Sequence, residues 1–141
     1  MIVAMTPQEE KALLLRVVTQ LAAKFLLKGG FIPFGATLGP NRNVDLLMPE
    51  GMKKDVTRDE LYDYFGKELR RAAAGEQRKT ACICAHVGEV EGKVLFPAVL
   101  VHVEHTEAYA EDVLYPYQLN DVPEVVFGNP TTGNTDRNIF N

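Results

Sequence analysis

The alternation of apolar and polar positions is densest from Lys79 to Leu119, where the runs TACICAHVGEV, VLFPAVLVHVEH and YAEDVLYPYQL follow one another. Each is rich in β-branched and aromatic residues, and EGK and TEA stand between them as turn signals. The pattern predicts a three-stranded β-meander on which every other element packs or beside which it pairs.

Upstream, the period changes to that of a helix. Thr6-Pro7-Gln8-Glu9 opens the first one with a capping residue, a proline at the first helical position and a glutamate placed to complete a capping box. Leu14, Val18, Leu21 and Phe25 share a broad apolar face, with Arg16, Gln20 and Lys24 opposite. Gly29-Gly30 is the expected stop. Phe31 to Leu38 predicts a short strand in which Pro33, lacking an N–H, points to an edge position or an irregular start. Gly39 to Asn43 is a turn, and Val44 to Met48 returns as its hairpin partner. Thr57-Arg58-Asp59-Glu60 repeats the capping box, with Val56 and Leu61 at staple spacing. The second helix is expected to run to about Ala74, with Leu61, Phe65, Leu69 and Ala72 inward, Arg70-Arg71 in its last turn as solvated ends and Gly75 as its stop. After the meander, Val122 to Phe127 predicts a last strand. The tail GNPTTGNTDRNIFN has the composition of a loop, with an apolar hook at Ile139-Phe140 that should dock on the body.

The order is helix, two strands, helix, four strands. It predicts one α+β domain over residues 1–141, with two helices packed on a mainly antiparallel sheet of about six strands. With Glu91-Gly92 as one meander turn and Thr106-Glu107-Ala108 as the other, Cys82, Cys84, His86, Val99, Val101, Val103, Val113 and Tyr115 share one face. Ala81, Ile83, Ala85, Val87, Leu100, His102, Glu104, Asp112 and Leu114 share the other. Both faces are apolar near the middle. If the two helices cover one face, the other needs a cover: a second copy of the chain, or the N-terminal hairpin and the tail.

Composition then narrows the chemistry. The chain has 141 residues, 46% of them hydrophobic and 24% charged, which is the balance of a soluble globular domain. Its net charge of −4 argues against nucleic acid as a partner. The first ten residues, MIVAMTPQEE, lack the basic and apolar regions of a signal peptide, and no apolar run approaches the ~20 residues of a membrane span. With two cysteines spaced too closely on one strand to pair, the expectation is a reduced, cytoplasmic protein without a membrane partner. No serine occurs, which removes serine-hydrolase triads, and neither GxGxxG nor Gx₄GK[ST] is present, so no cofactor is assigned.

Three clusters carry candidate chemistry. Cys82, Cys84 and His86 put soft ligands on one strand face, but CxC on a flat strand holds its sulfurs about 6–7 Å apart, unlike the CxxC knuckles of zinc sites, and no metal is assigned. His102-Val103-Glu104, with Asp112 opposite His102, is the candidate catalytic or ligand-binding cluster, because an imidazole between carboxylates can act as a general base. Tyr109 and Tyr117 are candidate interface residues, tyrosine being favoured at contact hot spots, while Tyr115 is read as core.

FIPFGATL, VHVEHTEAYAEDVLYPYQL and VVFGNP…IF together resemble a loose group of small uncharacterised bacterial α+β proteins. The resemblance rests on Phe34-Gly35-Ala36, Glu104-His105, Tyr109-Ala110, Pro116-Tyr117 and Phe127-Gly128, and implies no activity. Small acidic α+β proteins of this size also resemble immunity proteins of bacterial toxin systems. The expected function is therefore that of a bacterial contact protein, a homodimer with a further protein partner and immunity-like or accessory in role. The alternative is a small enzyme, or a small-molecule or metal binder, using His102, Glu104 and Asp112.

Overall fold

A computed structural model describes residues 5–28, 33–39, 41–49, 57–75, 78–90, 93–121 and 124–140. Helix α1 spans Pro7–Leu27, and its capping box is closed: Thr6 Oγ1 accepts the Glu9 N–H at 3.1 Å while Glu9 Oε1 accepts the Thr6 N–H at 3.0 Å. Its most buried stripe is Leu14, Val18, Ala22 and Leu26, one residue per turn, with Leu21 and Phe25 on the flank. Helix α2 spans Arg58–Gly75, and Thr57 Oγ1 accepts the Glu60 N–H at 3.2 Å. Leu61, Phe65, Leu69 and Ala73 face inward; the buried alanine is Ala73, not Ala72, because four-residue steps from Leu69 keep the stripe on one side. Full burial of each large member contributes roughly 1.5–3 kcal/mol. The Gly29-Gly30 stop, the Val56 staple and the Glu91-Gly92 turn lie outside the described residues.

Among the described residues seven strands form the sheet: β1 (Phe34–Leu38), β2 (Val44–Leu47), β3 (Thr80–Val90), β4 (Lys93–His105), β5 (Tyr109–Asn120), β6 (Glu124–Phe127) and β7 (Thr131–Asn134). The order is β2-β1-β3-β4-β5-β6, with β7 also on β5, and every pairing is antiparallel. β1 lies between β2 and β3 and not at an edge. Pro33 precedes the strand, so its missing N–H removes no ladder bond. The hairpin turn closes between Gly39 and Asn43, with Arg42 at φ 63°. Arg78, almost wholly buried, ties this edge down by binding Asp45 on β2 at 2.5 Å and the Thr37 hydroxyl at 3.3 Å.

The tail is more ordered than its loop composition implies, since Thr131–Asn134 pair with β5. β6 and β7 are two parts of one edge strand. Tyr117 faces Phe127 and Leu114 faces Thr131, so three residues of the tail oppose two of β5. The extra residue is taken up at Gly128-Asn129-Pro130, where the Gly128 N–H reaches the Pro116 carbonyl at 2.8 Å.

The faces are those expected from the alternation, and His102 faces Asp112 as the Thr106–Ala108 turn predicts. The β3–β4 pairing differs: a register shift between Val87 and Glu89 sets Ile83 opposite His102 and Cys84 opposite Val101, two residues on from the Leu100 and Val99 that a two-residue Glu91-Gly92 turn implies, and because the shift is by two each residue keeps its face. The helices do not share a face. α1 covers Cys82, Cys84, Val99, Val101, Val103 and Val113, whereas α2 with Ile139 covers Ala81, Ile83 and Ala85. Each face of the sheet thus has a cover within one chain. Gly35 permits the α2 contact, since a Cβ there would meet Phe65 and Leu69 side chains at 3.1 Å. Among the described residues no helix is long and apolar enough to cross a membrane.

Candidate functional site

His102 and Glu104 are two apart on β4 and therefore project from the same side, toward α2 and the tail. β5 brings Asp112 directly opposite His102. His102 Nδ1 lies 2.8 Å from Asp112 Oδ1, and Nε2 lies 2.5 Å from Glu104 Oε2. Both ring nitrogens thus face a carboxylate oxygen, an arrangement satisfied when both donate, as in the imidazolium form. Burial alone pulls the His102 pKa down, but the hydrogen bonds and charges of Asp112 and Glu104 outweigh it and leave the value raised. Burial likewise pushes Glu104 up, but His102 and the backbone N–H groups of Phe140 and Asn138 bring its pKa below the usual carboxylate value.

The three residues meet as expected, but not in an open pocket. His102 is 1% exposed and Glu104 0%. The Tyr62 ring of α2 lies over the imidazole, centroid to centroid 4.9 Å. The remaining acceptor capacity of Glu104 is turned on the tail: Oε2 accepts the N–H groups of Asn138 at 2.6 Å and Ile139 at 2.9 Å, and Oε1 accepts that of Phe140 at 3.0 Å. Arg70 Nε returns a hydrogen bond to the Ile139 carbonyl at 2.6 Å, so this arginine is a tail anchor and not simply a solvated end. Arg137 Nη1 donates to the His105 carbonyl at 2.6 Å. The Ile139 side chain is fully buried among Leu61, Phe65, Leu69 and Ile83. Gly66 makes the approach possible, because a Cβ there would overlap the Asn138 carbonyl oxygen. The cluster therefore works as a clamp: a buried carboxylate, held charged by an imidazolium, takes three consecutive backbone N–H groups of the C-terminal segment.

Ile139-Phe140 was legible in the sequence as a hook. Arg70, Tyr62 and the backbone donors of residues 138–140 were not, because neither a backbone amide nor a ring on another element leaves a sequence signal at Glu104.

The other candidates lie elsewhere. Tyr109 and Tyr117, expected as contact residues, are instead buried in the chain's own core, 8% and 7% exposed. The Tyr109 hydroxyl donates to the Pro7 carbonyl at 3.2 Å, and that of Tyr117 meets His86 Nε2 at 2.7 Å. Cys82 and Cys84 are fully buried under α1, where burial pushes the Cys82 thiol up to about 12 and Cys84 well above its ordinary value. They are held as protonated thiols, and His86 on the same strand face is engaged with Tyr117. Among the described residues no three His, Cys, Asp or Glu side chains converge as metal ligands would.

The described residues also line open concavities. A polar groove of ≈ 420 Å³ lies along α2, lined by Asp59, Tyr62, Asp63, Lys67 and Asn138 among others. An apolar groove of ≈ 470 Å³ lies at the β5–β6 end, lined by Pro97, Pro116, Tyr117, Val126 and Phe127 with Gln118 and Gly128. Leu119 and Val126 stand exposed on the strands that build it, 58% and 42%. No family model matches this chain, nor does any curated protein or solved structure.

Proposed function

We propose that the protein acts by protein–protein contact through the β5–β6 end of its sheet, and that the contact it makes there is with a second copy of itself. The observation that carries this reading is the open apolar groove beside exposed Leu119 and Val126. None of its described lining residues bears a charged side chain, so the groove itself brings no like charges together between two chains of net charge −4. β6 is the last strand in the sheet order, and an edge strand is a template for pairing with another strand. A two-fold axis beside β6 uses the same patch twice, the least demanding route to a closed oligomer. The role that fits is that of a cytoplasmic accessory or immunity-like factor, with a further protein partner held by the dimer. An enzyme or ligand binder built on His102, Glu104 and Asp112 has less support, because their hydrogen bonds are taken by one another and by the tail.

Light scattering coupled to size exclusion tests the reading. The expected result is a dimer for the wild-type chain and a monomer for Leu119→Lys/Val126→Asp with unchanged circular dichroism. A wild-type monomer at about 100 µM, well above the Kd of an ordinary specific interface, would overturn it.

A further inference from the structure

The clamp that holds the C-terminus has the properties of a peptide-recognition site already filled. Recognition of an extended segment needs main-chain hydrogen bonds for affinity and a side-chain pocket for selectivity. Both are present. Glu104 takes the N–H groups of residues 138, 139 and 140, Arg70 takes the Ile139 carbonyl, and one aliphatic pocket takes the Ile139 side chain. Gly66 leaves room for the backbone of the segment. None of these contacts depends on the covalent link between the segment and β6. That link is Gly128-Asn129-Pro130, exposed throughout and seated at the break between β6 and β7.

We propose that the Glu104–Arg70 clamp is a docking site for the C-terminal strap, residues 131–140, of a second copy of this chain, occupied in the monomer by the chain's own strap. The occupant is fixed by complementarity, since the segment seated there carries the three donors, the acceptor and the isoleucine that the site matches. Exchange between two copies would preserve every strap contact and change only the path of residues 128–130. This site lies on the α2 face of the sheet and is separate from the β5–β6 groove.

The test uses full-length Ile139→Asp, which spoils the strap but leaves the receptor side chains intact, and a fluorescein-labelled peptide of residues 131–141. Anisotropy should report saturable binding to Ile139→Asp that is on the order of tenfold or more tighter than to wild type, where the strap in cis competes. Ile139→Asp/Glu104→Gln should lose the binding. With Leu119→Lys/Val126→Asp added to both chains to remove the β5–β6 contact, intact Ile139→Asp mixed with intact Glu104→Gln should form a heterodimer, because one supplies the receptor and the other the strap. If circular dichroism shows Ile139→Asp unfolded, Ile139→Ala takes its place. A folded variant without saturable binding, or binding indifferent to Glu104, would overturn the proposal. The peptide reads the clamp alone, so neither result bears on the β5–β6 surface.

Discussion

Glu104→Gln keeps the volume of the side chain and exchanges one acceptor oxygen for an NH₂ donor. In the native structure one carboxylate oxygen accepts from Asn138, Ile139 and His102 and the other accepts from Phe140. The amide can place its oxygen at the first position, and then its NH₂ confronts the Phe140 N–H. The opposite flip loses three bonds instead. Even the better orientation loses one hydrogen bond and the charge assistance to the others, each charge-assisted bond being worth about 1.5–3 kcal/mol. It also leaves His102 facing one carboxylate, Asp112, where there were two; breaking a buried pair by removing one partner costs about 3–5 kcal/mol, a figure that already contains the lost hydrogen bonding. A total loss of about 3–5 kcal/mol follows, a large part of the 5–15 kcal/mol that holds a typical domain. Urea unfolding followed by circular dichroism reads the change in free energy, and the melting temperature should fall by on the order of 10 °C or more. The loss should also couple to the strap: in a double-mutant cycle with Ile139→Ala, itself costing about 2–5 kcal/mol, the two effects should be sub-additive by more than about 0.5 kcal/mol. A loss below about 1 kcal/mol, or strict additivity, would refute the view that Glu104 holds the tail.

The clamp also sets the pH dependence of stability. The raised His102 pKa means its contribution is whole below the ordinary imidazole value of 6.5 and is lost as pH rises through the folded value. The lowered Glu104 pKa means its contribution is whole above 4.5 and is lost as pH falls through the folded value, so urea midpoints should be highest between these limits and His102→Gln should flatten the alkaline limb. Gly66→Ala, which by helix propensity alone should stabilise by about 1 kcal/mol, should destabilise by about 1–3 kcal/mol because its methyl overlaps the Asn138 carbonyl; Gly75→Ala, with open space around it, should stay within about 0.5 kcal/mol by the same unfolding assay. Cys82 and Cys84, buried and protonated, should resist a maleimide in the native state and react once urea unfolds the chain; fast native labelling would contradict their burial.

Local rules sufficed for much of the architecture. Thr6 and Thr57 set the helix starts because a cap is satisfied within four residues, and period-two alternation sorted Cys82 from Ile83 and placed His102 opposite Asp112 because a short Thr106–Ala108 turn leaves little freedom of register. The hook at Ile139 was visible as two apolar residues in a polar tail. Three-dimensional packing decided the rest. The helices went to opposite faces because both faces of the meander are apolar and each needs a cover, a choice that no residue within either helix encodes. Thr131–Asn134 became a strand despite its loop composition because the outer side of β5 supplied the partners for its backbone. The chemistry of His102 and Glu104 was decided in the same way. Their side chains are those of an acid–base site, but the N–H groups of residues 138–140 lie 34 to 36 positions away in the chain, and only folding brings them onto the carboxylate and turns a catalytic-looking cluster into a clamp.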